Sequence, residues 1–571
     1  GHGVAAVLVG LNHLTGAVLD HQRANVVGLG ALAAQAGGQG DRVGRLGGDA
    51  GVHENWALNS AGYPDSNLGR IASTALNFAV GGTGRVTSVT RTAGIVTDGA
   101  VVQTGGGDGR IYTIENPATL KDPIVVETAR LLRAQGYLRE AEVRATPRAD
   151  GTVDVVVETW DAWTLNPGIS GSRSGGASSF GFELEDSNLL GTGAELTLSH
   201  DSDSERDQNA LSYRNDHLFG RWNGLDAELR DNSDGRGWAL ALGQPFHALD
   251  TRRAWGVSVD RLTLVESFYS RGEEVAEYRQ RNNDIEAWWG RSTGLRNGRV
   301  TRWQFGLREQ SRDFLPALDA SMAGPVPGDR HLAGPWIGIE RIHDDWEEQV
   351  NLDQIGSTED LLLGLHWTAR LGWSDTAFGG DRDALWYEAG ISRGFRLPAG
   401  SLLRTEAWLD GRLEDGSARD LSLGGRARYY RRTGDKRLFY ADLETAHGHA
   451  LDLDSYRTLG GDNGLRGYPE RWAGGEGFTR LSLEQRFYTD AYLWRIFRVG
   501  GAVFMDVGRT WGDDPLGAPS PGTLADVGFG LRLGNTRSSF ARVIHVDLAF
   551  PLDGDPSLKR VELVIEARED A

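Results

Sequence analysis

The sequence predicts an all-β, antiparallel transmembrane β-barrel preceded by a small α+β module. Three observations lead there. From Thr164 to the C-terminus, apolar and polar residues alternate with period two, in runs of roughly 8–12 residues between turn clusters. Twenty runs qualify, and a soluble sandwich of so many long strands would be unusual. Runs of about ten residues suit a tilted crossing of a bilayer. Finally, no apolar run reaches the ~18 residues of a spanning helix, and the mean hydropathy is −0.38. A closed barrel is the membrane structure that such ordinary hydropathy permits, because its backbone groups pair between strands.

Composition narrows the function classes. The chain has 571 residues, no cysteine and a net charge of −19. Thiolate chemistry, disulfides and cysteine zinc sites are therefore excluded. A nucleic-acid partner is not expected, since phosphate binding needs basic patches. Lys121, Lys436 and Lys559 are the only lysines among 60 basic residues, a bias that GC-rich coding explains.

Three zones follow in order. Residues 1–110 are glycine-rich, with short periodic pieces such as "RVTSVTRTAGIVTDGAVVQT" (85–104). They read as a flexible or irregular leader, with spurious upstream translation as the alternative. "VAAVLVGL" (4–11) is too short to span and lacks a signal peptide's charged flank. "GGTGR" (81–85) lacks the lysine of a phosphate-binding loop. Residues 111–163 form the α+β module. Val125, Ala129 and Leu132 make one helical stripe with Leu131 beside it, and Gly136 stops the helix. "LREAEVRATPR" and "GTVDVVVETWDAW" then flank a turn at Asp150-Gly151. Residues 164–571 are the barrel.

One segment breaks the alternation. "GGDNGLRGYPER" (460–471) is too glycine-rich for a helix and too broken for a strand. It lies in a loop, 456–478. Of the strands after it, "RLSLEQRF" puts Ser482, Glu484 and Arg486 on one face, and "GAVFMDVG" puts Phe504, Asp506 and Gly508 on one face. A carboxylate facing lipid costs kilocalories, so Glu484 and Asp506 face the lumen. Two buried acids repel unless a cation sits between them. Arg466 is the candidate, because a guanidinium fork can serve both.

These residues carry a resemblance. "LGGDNGLRGYP", "LSLEQRFYTD" and "VFMDVG" resemble the outer-membrane assembly and translocation superfamily, the Omp85 family with its surface-antigen (D15-type) barrels. The family's inward loop has a [V/L]-R-G-[F/Y] tip, matched by Leu465, Arg466, Gly467 and Tyr468. Its arginine contacts an acid on the next strand and the Asp of an F-x-D-x-G strand, matched by Glu484 and by Phe504, Asp506 and Gly508. "EDSNLLGTG" (185–193) and "LGQPFHALDTRRAWGVSVD" (242–260) look like family periplasmic turns, and 122–163 looks like the C-terminal part of a POTRA module. The resemblance covers roughly 122–571. It implies a barrel in the outer membrane of a Gram-negative bacterium, with the POTRA-like module in the periplasm. The implied function is insertion of outer-membrane proteins or translocation of polypeptides, with no enzyme activity, cofactor or metal. Implied partners are membrane lipids and lipopolysaccharide, unfolded clients, and a periplasmic accessory or inner-membrane-anchored subunit. The alternatives are a two-partner-type secretion pore for one exoprotein and a passive porin or surface antigen.

The sequence also departs from the family. Its barrels have 16 strands, so either two hairpins here belong to extracellular loops or this barrel is larger. A full POTRA needs a strand and helix that residues 1–121 do not display, and "VELVIEARED" lacks the usual terminal aromatic. "GRSTG" (290–294) fits G-x-S-x-G but falls at a hairpin turn, not the strand–turn–helix that a nucleophile needs. "HGH" (447–449) reads as loop rather than metal ligand. Trp288, Trp289, Tyr492 and Trp494 read as interface anchors, and "DSDSERD" (201–207) as a solvated loop.

Overall fold

The computed structural model describes residues 84–91, 96–97, 129–130, 132–133, 137–147, 153–161, 164–174, 177–218, 223–535 and 543–568. The readings of residues 1–83, of the Asp150-Gly151 turn, and of Val125, Leu131 and Gly136 lie outside them.

The N-terminal module is a four-stranded sheet. Strands β1 (Gly84–Arg91), β2 (Val96–Thr97), β3 (Leu138–Pro147) and β4 (Val153–Asp161) lie in the order β2-β1-β4-β3. β3 and β4 pair antiparallel, as the hairpin reading expects, and β1 pairs parallel to β4. Strands β1 and β2 thus come from residues assigned to the leader, so the boundary at 110/111 divides one sheet. Arg85, weighed as part of a phosphate loop, is a strand residue paired with Asp154. Helical residues Ala129 and Leu132 turn inward; Leu132 packs on buried Tyr137 and Leu138.

All twenty alternating runs become barrel wall. The first ten strands are β5 (Leu165–Ser174), β6 (Ala177–Leu189), β7 (Ala194–Ser202), β8 (Asp207–Asn215), β9 (Gly224–Asn232), β10 (Gly235–Gln244), β11 (Arg253–Ser270), β12 (Glu273–Ser292), β13 (Arg299–Pro316) and β14 (Arg330–His343). A small hairpin, β15 (Trp346–Val350) and β16 (Thr358–Leu362), stands apart from the wall. The wall resumes with β17 (His366–Ser374), β18 (Ala384–Leu397), β19 (Ser401–Glu414), β20 (Ser417–Gly434) and β21 (Arg437–His449). A second separate hairpin, β22 (Arg457–Leu459) and β23 (Ala473–Gly475), precedes the last five, β24 (Gly477–Leu493), β25 (Phe497–Trp511), β26 (Leu524–Asn535), β27 (Val543–Pro551) and β28 (Glu562–Arg568). Wall strands pair antiparallel with their chain neighbours, and β28 returns to β5 to close the ring. The barrel is therefore the larger one, with 20 strands, and no wall hairpin is displaced into a loop.

Alternation assigns the two faces. On β25 and β26, Val503, Met505, Phe529 and Leu531 point out and are exposed, while Phe504, Asp506 and Asp526 point in and are buried. The same holds around the wall, with Leu229, Leu240, Phe305, Leu307, Ile337 and Leu443 outward and exposed. A continuous apolar exterior of this extent is a lipid-facing belt. The interior instead carries charge pairs: Arg312 with Asp284 at 2.8 Å, Arg308 with Glu388 at 2.9 Å, and Arg426 with Asp442 at 2.8 Å. Trp289 and Trp494 are exposed, as anchors should be. Trp288 is not an anchor. Adjacent strand residues point oppositely, so it faces inward, close over Gly256 and against Phe246. His447 and His449 lie at the end of β21 rather than in a loop, with His447 stacked on Trp511.

Candidate functional site

The connection between β21 and β24 folds into the barrel, and its own hairpin sets its path. Strands β22 and β23 bring its two limbs together through three residue pairs, leaving 460–472 as an apex. Within the apex, Leu465 N donates to Gly460 O at 2.9 Å, and Gly461 N donates to Pro469 O at 2.9 Å. The Asn463 side chain accepts from Gly460 N at 2.8 Å and donates to Thr458 O at 2.6 Å. Gly464 sits at φ +120, a conformation that only glycine adopts cheaply.

Apolar burial then fixes the apex against the wall. Leu459, Leu465 and Tyr468 are fully buried, in one cluster with Trp472, Ala473, Ala446, Phe478 and Leu524. Burying each such side chain contributes about 1.5–3 kcal/mol. The Tyr468 hydroxyl also donates to Ala525 O and accepts from Ala525 N, both at 2.9 Å. Gly508 makes room for the cluster, since a Cβ there would lie 2.8 Å from a Leu459 methyl. Tyr468→Phe removes both polar contacts while keeping the ring. A net loss of about 1–3 kcal/mol is expected, read as a lower unfolding temperature in heat-modifiability gels with unchanged barrel assembly.

Arg466 is thereby aimed at the inner wall. Its Nε and Nη2 donate to the two oxygens of Asp506 at 2.7 and 2.9 Å. Its Nη1 donates to Glu484 at 2.8 Å and to Asp547 at 3.0 Å, and Nη2 also reaches the Ser482 hydroxyl at 3.1 Å. The guanidinium carbon lies 3.4 Å from the centre of the Phe504 ring, a cation–π contact. Arg466 is 3% exposed, Glu484 2% and Asp506 0%. The fork onto Asp506 and the flat stack on Phe504 require arginine rather than lysine.

Every sequence-assigned residue is present in this cluster: Leu465, Arg466, Gly467 and Tyr468 on the loop, with Glu484, Phe504, Asp506 and Gly508 on β24 and β25. Sequence reasoning missed the remaining members. Asp547 on β27 is a third acid on Arg466, and Arg532 on β26 pairs with Asp547 and reaches Glu484 at 3.4 Å. Asp526, fully buried, stands directly opposite Asp506 in the β25–β26 register. Period two in "VIHVDLAFP" puts Asp547 on the lumen face, and that signal could have found it. The outer limbs of the loop brace on the rest of the wall. Arg412 pairs with Asp452 at 2.8 Å, Arg330 with Asp454, and Tyr456 packs on Phe268.

No family model and no curated protein matches the chain. Several solved structures do. The chain is similar to CdiB from Escherichia coli, at 13% identity with a TM-score of 0.43, covering 98% of this chain and 97% of that one. BamA from Haemophilus ducreyi lacking POTRA domains 1–3 is similar at 12% identity and TM-score 0.36, covering 80% and 79%. The FrpB iron transporter from Neisseria meningitidis is similar at 8% and 0.39, covering 74% and 86%. The barrel has 20 strands, where the resemblance implied 16.

Three guanidinium groups, of Arg466, Arg486 and Arg532, face the clip's acids Glu484, Asp506 and Asp547. Ser292 of the "GRSTG" segment closes the end of β12, accepting from Gly294 N at 2.9 Å. What the arrangement does is hold a long loop across and inside the barrel.

Proposed function

We propose that the chain is an Omp85-type outer-membrane barrel that inserts client barrel proteins into, or moves polypeptides across, the outer membrane. The N-terminal module then faces the periplasm, the β21–β24 loop enters from the cell exterior, and no enzymatic step is involved. One observation carries the reading: the ring is braced internally by Arg466 where it is weakest externally. Among the described residues, strand β28 closes on β5 through one ladder pair, Ile565 with Arg173, whereas β27 and β28 share seven. An edge so lightly paired is a ready template for another strand, and the clip on β24, β25 and β27 holds the adjoining wall while it opens. In the module, β2 and β3 are the outer strands of the sheet. Either offers backbone groups to an extended client by β-augmentation, which tolerates many sequences. Lipid and lipopolysaccharide surround the apolar belt, and a periplasmic or inner-membrane-anchored subunit would meet the module.

The passive-porin reading is disfavoured by the loop that fills the lumen. Secretion of one exoprotein remains the second reading, favoured by a lumen wide enough to hold that loop. Purified chain in proteoliposomes tests both. We expect an unfolded barrel client to become protease-resistant and heat-modifiable faster than with empty liposomes. No acceleration, together with a large steady conductance, would identify a porin instead.

A further inference from the structure

The β14–β17 connection, at the module end of the barrel, is built like a second plug. A seven-residue turn, 351–357, joins β15 to β16, and an ordinary surface turn would be polar and exposed. Here Leu352 is 2% exposed, Gln354 3% and Ile355 6%. Leu352 joins Leu361 and Leu363 against Leu402, Tyr430, Leu438 and Tyr440, on the lumen faces of β19, β20 and β21. Ile355 reaches the opposite flank, lying over Gly534 of β26 and near Gly500 of β25. Glycine at 534 makes room for it: a Cβ there would stand 2.6 Å from that of Ile355.

Polar contacts tie this tip to the arginine clip. Arg486 Nη1 donates to Leu352 O at 2.5 Å and to Asp353 at 3.2 Å, while Tyr430 OH donates to the other Asp353 oxygen at 2.8 Å. The Nε of the same Arg486 donates to Glu484 at 2.8 Å, and Glu484 holds Arg466. Glu359 rigidifies the turn by accepting from Leu352 N and Asp353 N at 2.8 and 3.0 Å. At its other end the hairpin grips the N-terminal module. Arg133 donates to both oxygens of Asp360, at 2.8 and 2.6 Å, and to Glu348 at 2.8 Å. Arg130 lies 4.3 Å over the Trp346 ring.

We infer that the β15–β16 hairpin is an autoinhibitory plug that closes the module end of the lumen and couples the module to the Arg466 clip. The physical route is continuous: Arg133, Asp360, the hairpin, Asp353, Arg486, Glu484, Arg466. Pulling or turning the module strains the hairpin at its base, and withdrawal of the tip strips Arg486 of its partners. A client that binds the module better when the tip is out shifts the population toward an open lumen. The inference rests on the proposed gating function only for the nature of that client. The plug and its coupling stand on the contacts themselves.

The test uses purified full-length variants in planar bilayers, after heat-modifiability has shown that each barrel is folded. Ile355→Asp puts a charge in the apolar seat and should raise conductance several-fold over the parent. Arg133→Asp, outside the lumen, should raise it in the same direction, and adding Asp360→Arg should restore the parent value. Parent-like conductance from Ile355→Asp overturns the plug. An open Ile355→Asp beside a closed Arg133→Asp overturns the coupling. Failure of the parent to insert clients in proteoliposomes would instead defeat the proposed function, leaving these conductance results intact.

Discussion

Replacing Arg466 with alanine is expected to yield a barrel that assembles poorly, melts at lower temperature and conducts more current with more noise. The substitution leaves Asp506, Glu484 and Asp547 side by side, all at most 2% exposed. Removing one partner of a buried ionic group costs about 3–5 kcal/mol, because the abandoned charges stay desolvated. Arg532 and Arg486 cannot take over: the first is engaged by Asp547 and the second by Glu484 and Asp353. The loop would lose its polar anchor but keep Leu459, Leu465 and Tyr468, so it should fluctuate rather than leave. Arg466→Lys should behave almost as badly, since an ammonium neither forks onto Asp506 nor lies flat on Phe504. Heat-modifiability gels and single-channel recording check both variants. A parent-like melting temperature and conductance for Arg466→Ala would remove the clip from any essential role.

The second large effect is expected at Gly467, which changes shape rather than charge. A Cβ there would stand 2.7 Å from the Asp526 Cβ and 3.1 Å from the Pro551 backbone nitrogen. Neither neighbour is the flexible end of a side chain, so the apex itself must move. Gly467→Val adds two further carbons to the collision, and overpacking of this kind costs roughly 1–3 kcal/mol. Its larger consequence is that Arg466, the preceding residue, is lifted off three acids at once. The prediction is a phenotype close to that of Arg466→Ala, with Gly467→Ala intermediate. Parallel melting curves for the three variants measure it, and a Gly467→Val barrel as stable as the parent would show that the apex has slack.

The wall was legible because period two is the direct imprint of a strand with lipid on one side and charge on the other. That alternation also sent Glu484 and Asp506 to one face, and charge balance then selected Arg466 from the intervening loop. It did not reveal Asp547, which lies 81 residues beyond Arg466; nothing local joins a loop to a strand three places along the ring. Nor could period two tell wall from hairpin. "LLLGLHWTARL" reads as one run, but Leu361 and Leu362 belong to β16 and the wall resumes only at His366. Strand β1 was illegible for a related reason. Its partner β4 is parallel and far along the chain, so no hairpin turn marks the pairing, and its glycine-rich flanks resemble a leader.

The function proposed for this barrel depends on its seam opening. Arg173→Cys with Ile565→Cys places a disulfide at the ladder pair that joins β5 to β28 among the described residues, in a chain whose sequence has no cysteine. In proteoliposomes the oxidised variant should fail to accelerate client insertion, and reductant should restore the parent rate. Equal insertion by the oxidised and reduced forms would contradict a seam that opens to its clients.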